Sequence, residues 1–322
     1  MKAPVALIFF NRPEKTERIF SAIARARPSR LLLIADGPRP GNDRDVAMCE
    51  ASRRVVERVE WDCEVSRNYA DVNLGCGRRP ATGLDWVFEQ EDRAIILEDD
   101  GLPDDTFFPF CDELLERYAD DSRICQISSQ NLQSGQQRGA YSYYFSRHNF
   151  CAGGWASWRR AWSYYDYEMK RWPELRDMGV LRDVLQDERA VKFWHGLFDR
   201  AWANPQQTGY WDYQWTFACW LQNGLSITPN ANLLSNIGFG PDATHTHWEG
   251  GPSANLQLKP IAFPLNHPPF VAAHADADRF FADVVLPPEP PSLLRRIRWR
   301  LGALLPPTFR RMLKGLLYKK SG

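Results

Sequence analysis

Arg93-Ala-Ile-Ile-Leu-Glu-Asp-Asp-Gly-Leu-Pro103 joins a short apolar run to three consecutive acids. Ala94 to Leu97 has the near-continuous hydrophobicity of a strand buried on both faces of a parallel sheet. Three adjacent carboxylates at the end of such a strand repel one another, and they are costly to bury unless a cation or several strong donors stand by. A divalent metal would satisfy them. Side chains alternate along a strand, so Glu98 and Asp100 are expected on one side and Asp99 on the other. Ligands of open α/β sheets bind beyond the carboxyl ends of the strands, where this triplet falls. Taken alone, the same three acids also fit a solvated turn.

Upstream, the pattern is strand, turn, helix. Pro4 to Phe10 is a continuous apolar run, Asn11-Arg12-Pro13 turns, and Ile19, Phe20 and Ile23 recur at helical spacing behind a proline suited to a first helical position. Leu31 to Ala35 repeats the strand and ends in Asp36-Gly37-Pro38, and a short strand near Cys63 to Ser66 follows a further polar helical segment. Alternating βα units predict a right-handed, mostly parallel sheet. Asn73-Leu-Gly-Cys-Gly-Arg-Arg79 then precedes a helix expected from Thr82 to Glu91. Its glycines allow close backbone approach to a ligand, and Arg78 or Arg79 suits a phosphate. A plain glycine-rich turn with solvated arginines accounts for the same residues.

Beyond about residue 130 the composition turns aromatic. Cys151-Ala-Gly-Gly-Trp-Ala-Ser-Trp158 and Trp162 to Tyr167 place aromatic faces beside Gly153 and Gly154, which suits the apolar faces of sugar rings; an aromatic core is the competing account. Gly209-Tyr-Trp-Asp-Tyr-Gln-Trp215 opens a helix with Asp212 as a cap or first-turn acid, in surroundings that also suit a general base. Thr244-His-Thr-His-Trp248 sets His245 and His247 on one face of an extended chain, within reach of a metal or a diphosphate, although two histidines without a third ligand also occur by chance.

The chain of 322 residues has formal net charge zero, but nine Lys or Arg against one acid lie from Pro287 onward, leaving 31 against 39 in residues 1–286, about −8. We therefore expect a catalytic body over 1–286, divided into a nucleotide-binding half at about 1–130 and an acceptor-binding half at 131–286. A Pro-rich joint and a basic amphipathic tail occupy 287–322. Residues 292–320 alternate apolar and cationic positions as in helices that lie on an anionic membrane, though packing on the body or on a partner fits too. The expected location is cytoplasmic, peripheral on the inner face of the membrane. No nucleic-acid partner is expected. Seven scattered cysteines, odd in number and without a CxxC pair, argue against a disulfide framework and against a zinc knuckle.

In their order, these elements resemble the inverting nucleotide-sugar glycosyltransferases of the GT-A fold, similar to family 2 enzymes and to the N-acetylglucosaminyltransferase I type. The resemblance rests on Asn11-Arg12-Pro13, Asp36-Gly37, Asn73-Leu74-Gly75, the Glu98-Asp99-Asp100 triplet as a DXD-type motif, Gly153-Gly154-Trp155 and Trp211-Asp212. It implies Asp100, with His245 or His247, on Mn²⁺ or Mg²⁺, and Asp212 as catalytic base. Donor contacts would come from Asn11, Arg12, Asp36, Asn73, Gly75, Arg78, Arg79, Glu98 and Asp99, and acceptor contacts from Gly153, Gly154 and Trp155. The implied partners are a nucleotide-diphosphate sugar, UDP-linked for preference, and a glycan or lipid-linked acceptor of surface polysaccharide or glycoconjugate synthesis. The triplet departs from the pattern by starting with Glu. Two rival readings are a catalytically inactive carbohydrate-binding protein on the same scaffold and a sugar nucleotidyltransferase, which would carry a Gly- and Arg-rich loop after the first strand.

Overall fold

The computed structural model describes residues 1–148, 151, 153–185, 187–239 and 256–286. The first half alternates strand and helix: β1 (Val5–Phe9), α1 (Pro13–Ala26), β2 (Arg30–Ala35), α2 (Asp43–Val56), β3 (Glu64–Tyr69), α3 (Gly75–Gln90) and β4 (Arg93–Glu98). Then come β5 (Gly101–Pro103), α4 (Phe107–Arg117), β6 (Ile124–Ser128), β7 (Tyr143–Ser146) and β8 (Gly154–Trp158). Helices α5 (Arg159–Trp162), α6 (Trp172–Met178), α7 (Val180–Leu185), α8 (Glu188–Ala203), α9 (Pro205–Thr208) and α10 (Asp212–Leu221) lead to β9 (Leu225–Pro229), β10 (Leu234–Asn236) and α11 (Ala275–Val285).

Eight strands form one sheet in the order β3-β2-β1-β4-β8-β6-β9-β7, in which β7 and β8 run against the other six. This is the expected α/β, Rossmann-like, mostly parallel sheet flanked by helices, and it is consistent with the GT-A fold. Strands β5 and β10 pair separately beside its carboxyl edge. Helix α1 starts at Pro13, whose missing N–H costs nothing at a first helical position, and buries Ile19, Phe20 and Ile23 against the sheet. Each such side chain contributes roughly 1.5–3 kcal/mol by leaving water. Val56 of α2 and Leu114 and Leu115 of α4 share that face. Leu84, Val87 and Phe88 of α3 pack the opposite face together with Trp211 and Trp215. A third cluster gathers α6, α8 and α10 around Trp172.

Two expectations are corrected at this level. Helix α3 begins at Gly75 rather than near Thr82, so the glycine and arginine stretch is its first turn and not a loop. Trp155 sits in β8 between β4 and β6, fully buried and stacked on Trp211 at 5.8 Å, which makes it core and not a wall for an acceptor. The compact body ends at Leu286. The expected His245 and His247 ligands and the tail over 287–322 lie outside the described residues. Among the described residues no helix is long and apolar enough to cross a membrane.

Candidate active site

The carboxyl ends of β1, β2 and β4 are neighbours in the sheet, and the polar side chains that follow each strand meet there. On the β2 side the carboxylates are fully engaged. Asp36 is 5% exposed; its Oδ1 accepts from the backbone N–H groups of Gly37 (2.9 Å) and Leu74 (2.8 Å), its Oδ2 from Gly75 N (3.0 Å) and Asn73 Nδ2 (3.0 Å). These four bonds fill the carboxylate's lone pairs and cap the first turn of α3 from another strand. Burial still outweighs them and raises the Asp36 pKa. Arg79 is also committed to the fold: its guanidinium donates to Ala35 O at 3.0 Å and to Asn68 Oδ1 at 2.7 Å, tying α3 to β2 and β3. Asp36 and Arg79, expected on the donor, are therefore fold residues. Arg78, one position earlier, is exposed, and its charge reaches Tyr167.

Asp45 in the first turn of α2 is nearly buried and joins the two loops. Arg39 donates to it from the loop after β2, and Asn11 Nδ2 from the loop after β1 at 2.8 Å. The Arg39 hydrogen bond, helped by Asn11, holds the Asp45 pKa down at about 2.

The β4 side differs. Asp99 turns toward β1, where its Oδ2 accepts from Phe10 N at 3.1 Å, and one Arg12 nitrogen lies 3.6 Å from both Asp99 Oδ1 and Asp100 Oδ2. The cation that the sequence demanded beside these acids is thus supplied in part by Arg12, with Lys15 in the first turn of α1 adding a weaker field. It is not enough. Asp100 Oδ1 is buried and has no hydrogen-bond partner among the described residues. Burial, then Asp100, pushes Asp99 up to about 6. Glu98 is pushed well above the usual carboxylate range by burial, then by the charges of Asp100, Asp212 and Asp99.

Asp212 is the first residue of α10, where the helix dipole favours a negative charge. Its charge bears on Glu98, and both of them raise the thiols of Cys76 in α3 and Cys151 before β8, each already raised by burial. The charges of Asp212 and Glu98 thus act on Cys76, which is exposed, and on Cys151, which is buried.

Gly153 matters through its backbone. Its carbonyl accepts from Glu98 N at 2.9 Å, and a Cβ on Gly101 would lie 1.9 Å from that same oxygen. Only bare backbone on both sides lets the residue before β8 lie against the acidic turn. Gly154 opens β8 inside the sheet and is buried.

The donor set can be weighed for a hard divalent cation. An unpartnered buried carboxylate oxygen between two further acids suits one. Among the described residues, however, no group of three His, Cys, Asp or Glu side chains is gathered at ligand geometry. The fit is partial from the protein alone.

No protein-family model matches the chain, and no curated protein matches it. Among solved structures it is similar to UDP-glucose pyrophosphorylase complexed with UDP-glucose, at 10% identity over 50% of this chain and 78% of that one, TM-score 0.28. It is also similar to the apo form of mouse xyloside xylosyltransferase 1, at 13% identity over 67% of this chain and 80% of that one, TM-score 0.33.

Proposed function

We propose that the chain is a metal-dependent, inverting glycosyltransferase that moves a sugar from a nucleotide-diphosphate donor, with UDP-sugars favoured, to a glycan or lipid-linked acceptor in surface polysaccharide or glycoconjugate synthesis. The observation that carries this reading is the buried, unpartnered Asp100 Oδ1, within a trio of acids at the carboxyl end of β4 and across from Asp212. Structural carboxylates in the same sheet are saturated with donors. This one is not.

Asp100 would hold Mn²⁺ or Mg²⁺, with His245 or His247 as the further protein ligand. The bound cation supplies Lewis-acid neutralisation of the charge that grows on the departing diphosphate. Arg12, set against Asp99 and Asp100, and the exposed Arg78 extend positive charge toward the same phosphates. Glu98, harder to ionise than an ordinary carboxylate because it is buried beside Asp100, Asp212 and Asp99, is the acid of the triplet least suited to carry a charge without a cation. Asp212 takes the proton of the acceptor hydroxyl as that oxygen attacks the anomeric carbon, and a single base suffices for inversion. The turn after β1 passes from Asn11-Arg12 directly into α1 without a glycine-rich phosphate loop, which disfavours nucleotidyl transfer. The charge contrast between tail and body supports docking of residues 292–320 on an anionic membrane face, next to a lipid-linked acceptor.

Asp100→Ala tests the reading. Calorimetry should show loss of Mn²⁺-dependent UDP binding in a folded variant; unchanged affinity removes the triplet from the donor site.

A further inference from the structure

Asp100 is held by a second element besides Arg12. Its carbonyl accepts from Ile237 N at 2.8 Å, and the next residue, Gly101, pairs with Asn236 in the β5–β10 ladder. This register delivers Gly238 onto the carboxylate. A Cβ built on Gly238 would lie 2.1 Å from Asp100 Oδ2 and 2.8 Å from both its Cβ and its Cγ.

Gly238 does not have a positive φ, so its backbone is open to any residue. The three atoms that a side chain there would meet first all belong to Asp100. Nor can the turn easily retreat, because Gly238 N donates to the buried Asn236 Oδ1 at 2.7 Å while Asn236 is fixed in its strand. The carboxylate is therefore confined between the bare Cα of Gly238 and the Arg12 guanidinium 3.6 Å from Oδ2, and Oδ1 is left as the unpartnered oxygen.

We propose that Gly238 is a positioning residue: its missing side chain sets the orientation in which Asp100 presents Oδ1 to a divalent cation. This rests on the reading of Asp100 as a metal-holding residue. The affinity of the β4 acids for a cation then depends on a turn contributed from far along the chain, after β10. Sequence alone gives Asn236-Ile-Gly-Phe-Gly240 the look of an ordinary loop.

The test is Mn²⁺ binding to the full chain with and without UDP, read from the loss of the free-ion EPR signal, in wild type and Gly238→Ala. The expected result is a roughly 10–100-fold weaker Mn²⁺ affinity in the variant, the scale on which groups supporting a ligand act. Because Gly238→Ala strains the fold as well, a double-mutant cycle of thermal stability with Asp100→Gly accompanies it. Removing the Asp100 side chain clears the clash, so the alanine should destabilise the wild-type background and be nearly silent in Asp100→Gly. Equal Mn²⁺ affinity in wild type and Gly238→Ala overturns the positioning role alone, as does an equal stability cost in both backgrounds. A wild type that binds no Mn²⁺ overturns the metal reading and the positioning role with it.

Discussion

Two groups of acids stand at the same end of the same sheet, and their surroundings give them opposite characters. Asp36 and Asp45, after β2, are surrounded by donors from Gly37, Asn73, Leu74, Gly75, Asn11 and Arg39. Glu98, Asp99 and Asp100, after β4, share a few backbone contacts and one shared guanidinium, and all three are harder to ionise than usual. Both groups are acids that follow neighbouring parts of one sheet, Asp45 from the first turn of α2 and Glu98 from the last position of β4. The two groups differ in the count of donors, complete around Asp36 and incomplete around Asp100.

The largest expected effect falls on the ligand side. Asp212→Asn keeps the shape and the place at the start of α10 but cannot accept a proton. Transfer should fall about 10²–10⁴-fold, the range for a general base, while donor affinity stays as it was. Stability should change by no more than about 1 kcal/mol, the scale of one charge at a helix end. Turnover near that of wild type would leave Asp212 as a first-turn acid and nothing more.

Much of the frame was legible because it depends on local rules. Apolar runs over residues 4–10, 31–35 and 94–97 mark buried strands, and Pro13 marks a helix start. What escaped notice depends on distant partners. Glycines made the start of α3 look like a loop, because the group that caps it is the Asp36 carboxylate, supplied from the end of another strand. The same fact hid the engagement of Asp36 itself. Trp155 resembled a sugar-facing aromatic, yet β8 is paired on both edges and packed on both faces, so the ring is core. Asp212 and the triplet were readable as acids at element ends. That the Asp212 charge acts on Glu98 was not, since no spacing rule connects the end of β4 to the start of α10.

Next in size is a test of the saturated side. Asp36→Asn replaces two acceptor oxygens by one oxygen and one NH₂, which must then confront donors from Asn73 and Gly75 or from Gly37 and Leu74. Leaving buried donors without acceptors costs about 1–3 kcal/mol each, so urea unfolding should show a loss of roughly 2–4 kcal/mol. Mn²⁺-dependent UDP affinity per folded molecule should remain unchanged. Preserved stability with lost nucleotide binding would instead return Asp36 to the donor site.

The smallest effect separates Asp45 from Asp99 by sign. Asp45 has a folded pKa of about 2 against an ordinary 3.8, so the unfolded chain binds the proton more readily. Its stabilisation is complete above about pH 4 and is lost as the pH falls toward 2. A shift of this size corresponds to at most about 2.4 kcal/mol, and because its Arg39 partner is 57% exposed, screening reduces it to on the order of 1 kcal/mol. Asp99 runs the other way. Its pKa rises from 3.8 to about 6 in the fold, so the unfolded chain ionises first, and wild-type stability is eroded as the pH rises from about 4 to 6. Urea unfolding of wild type, Asp45→Asn and Asp99→Asn across pH 3 to 7, without metal, resolves the two. Asp45→Asn should fall progressively further behind wild type as the pH climbs from 3 to about 4 and hold a constant deficit above that. Asp99→Asn should gain on wild type between about pH 4 and 6. If both differences drift in the same direction, Asp45 and Asp99 share one electrostatic character, and the contrast drawn between a carboxylate held by Arg39 and one crowded by Asp100 does not hold.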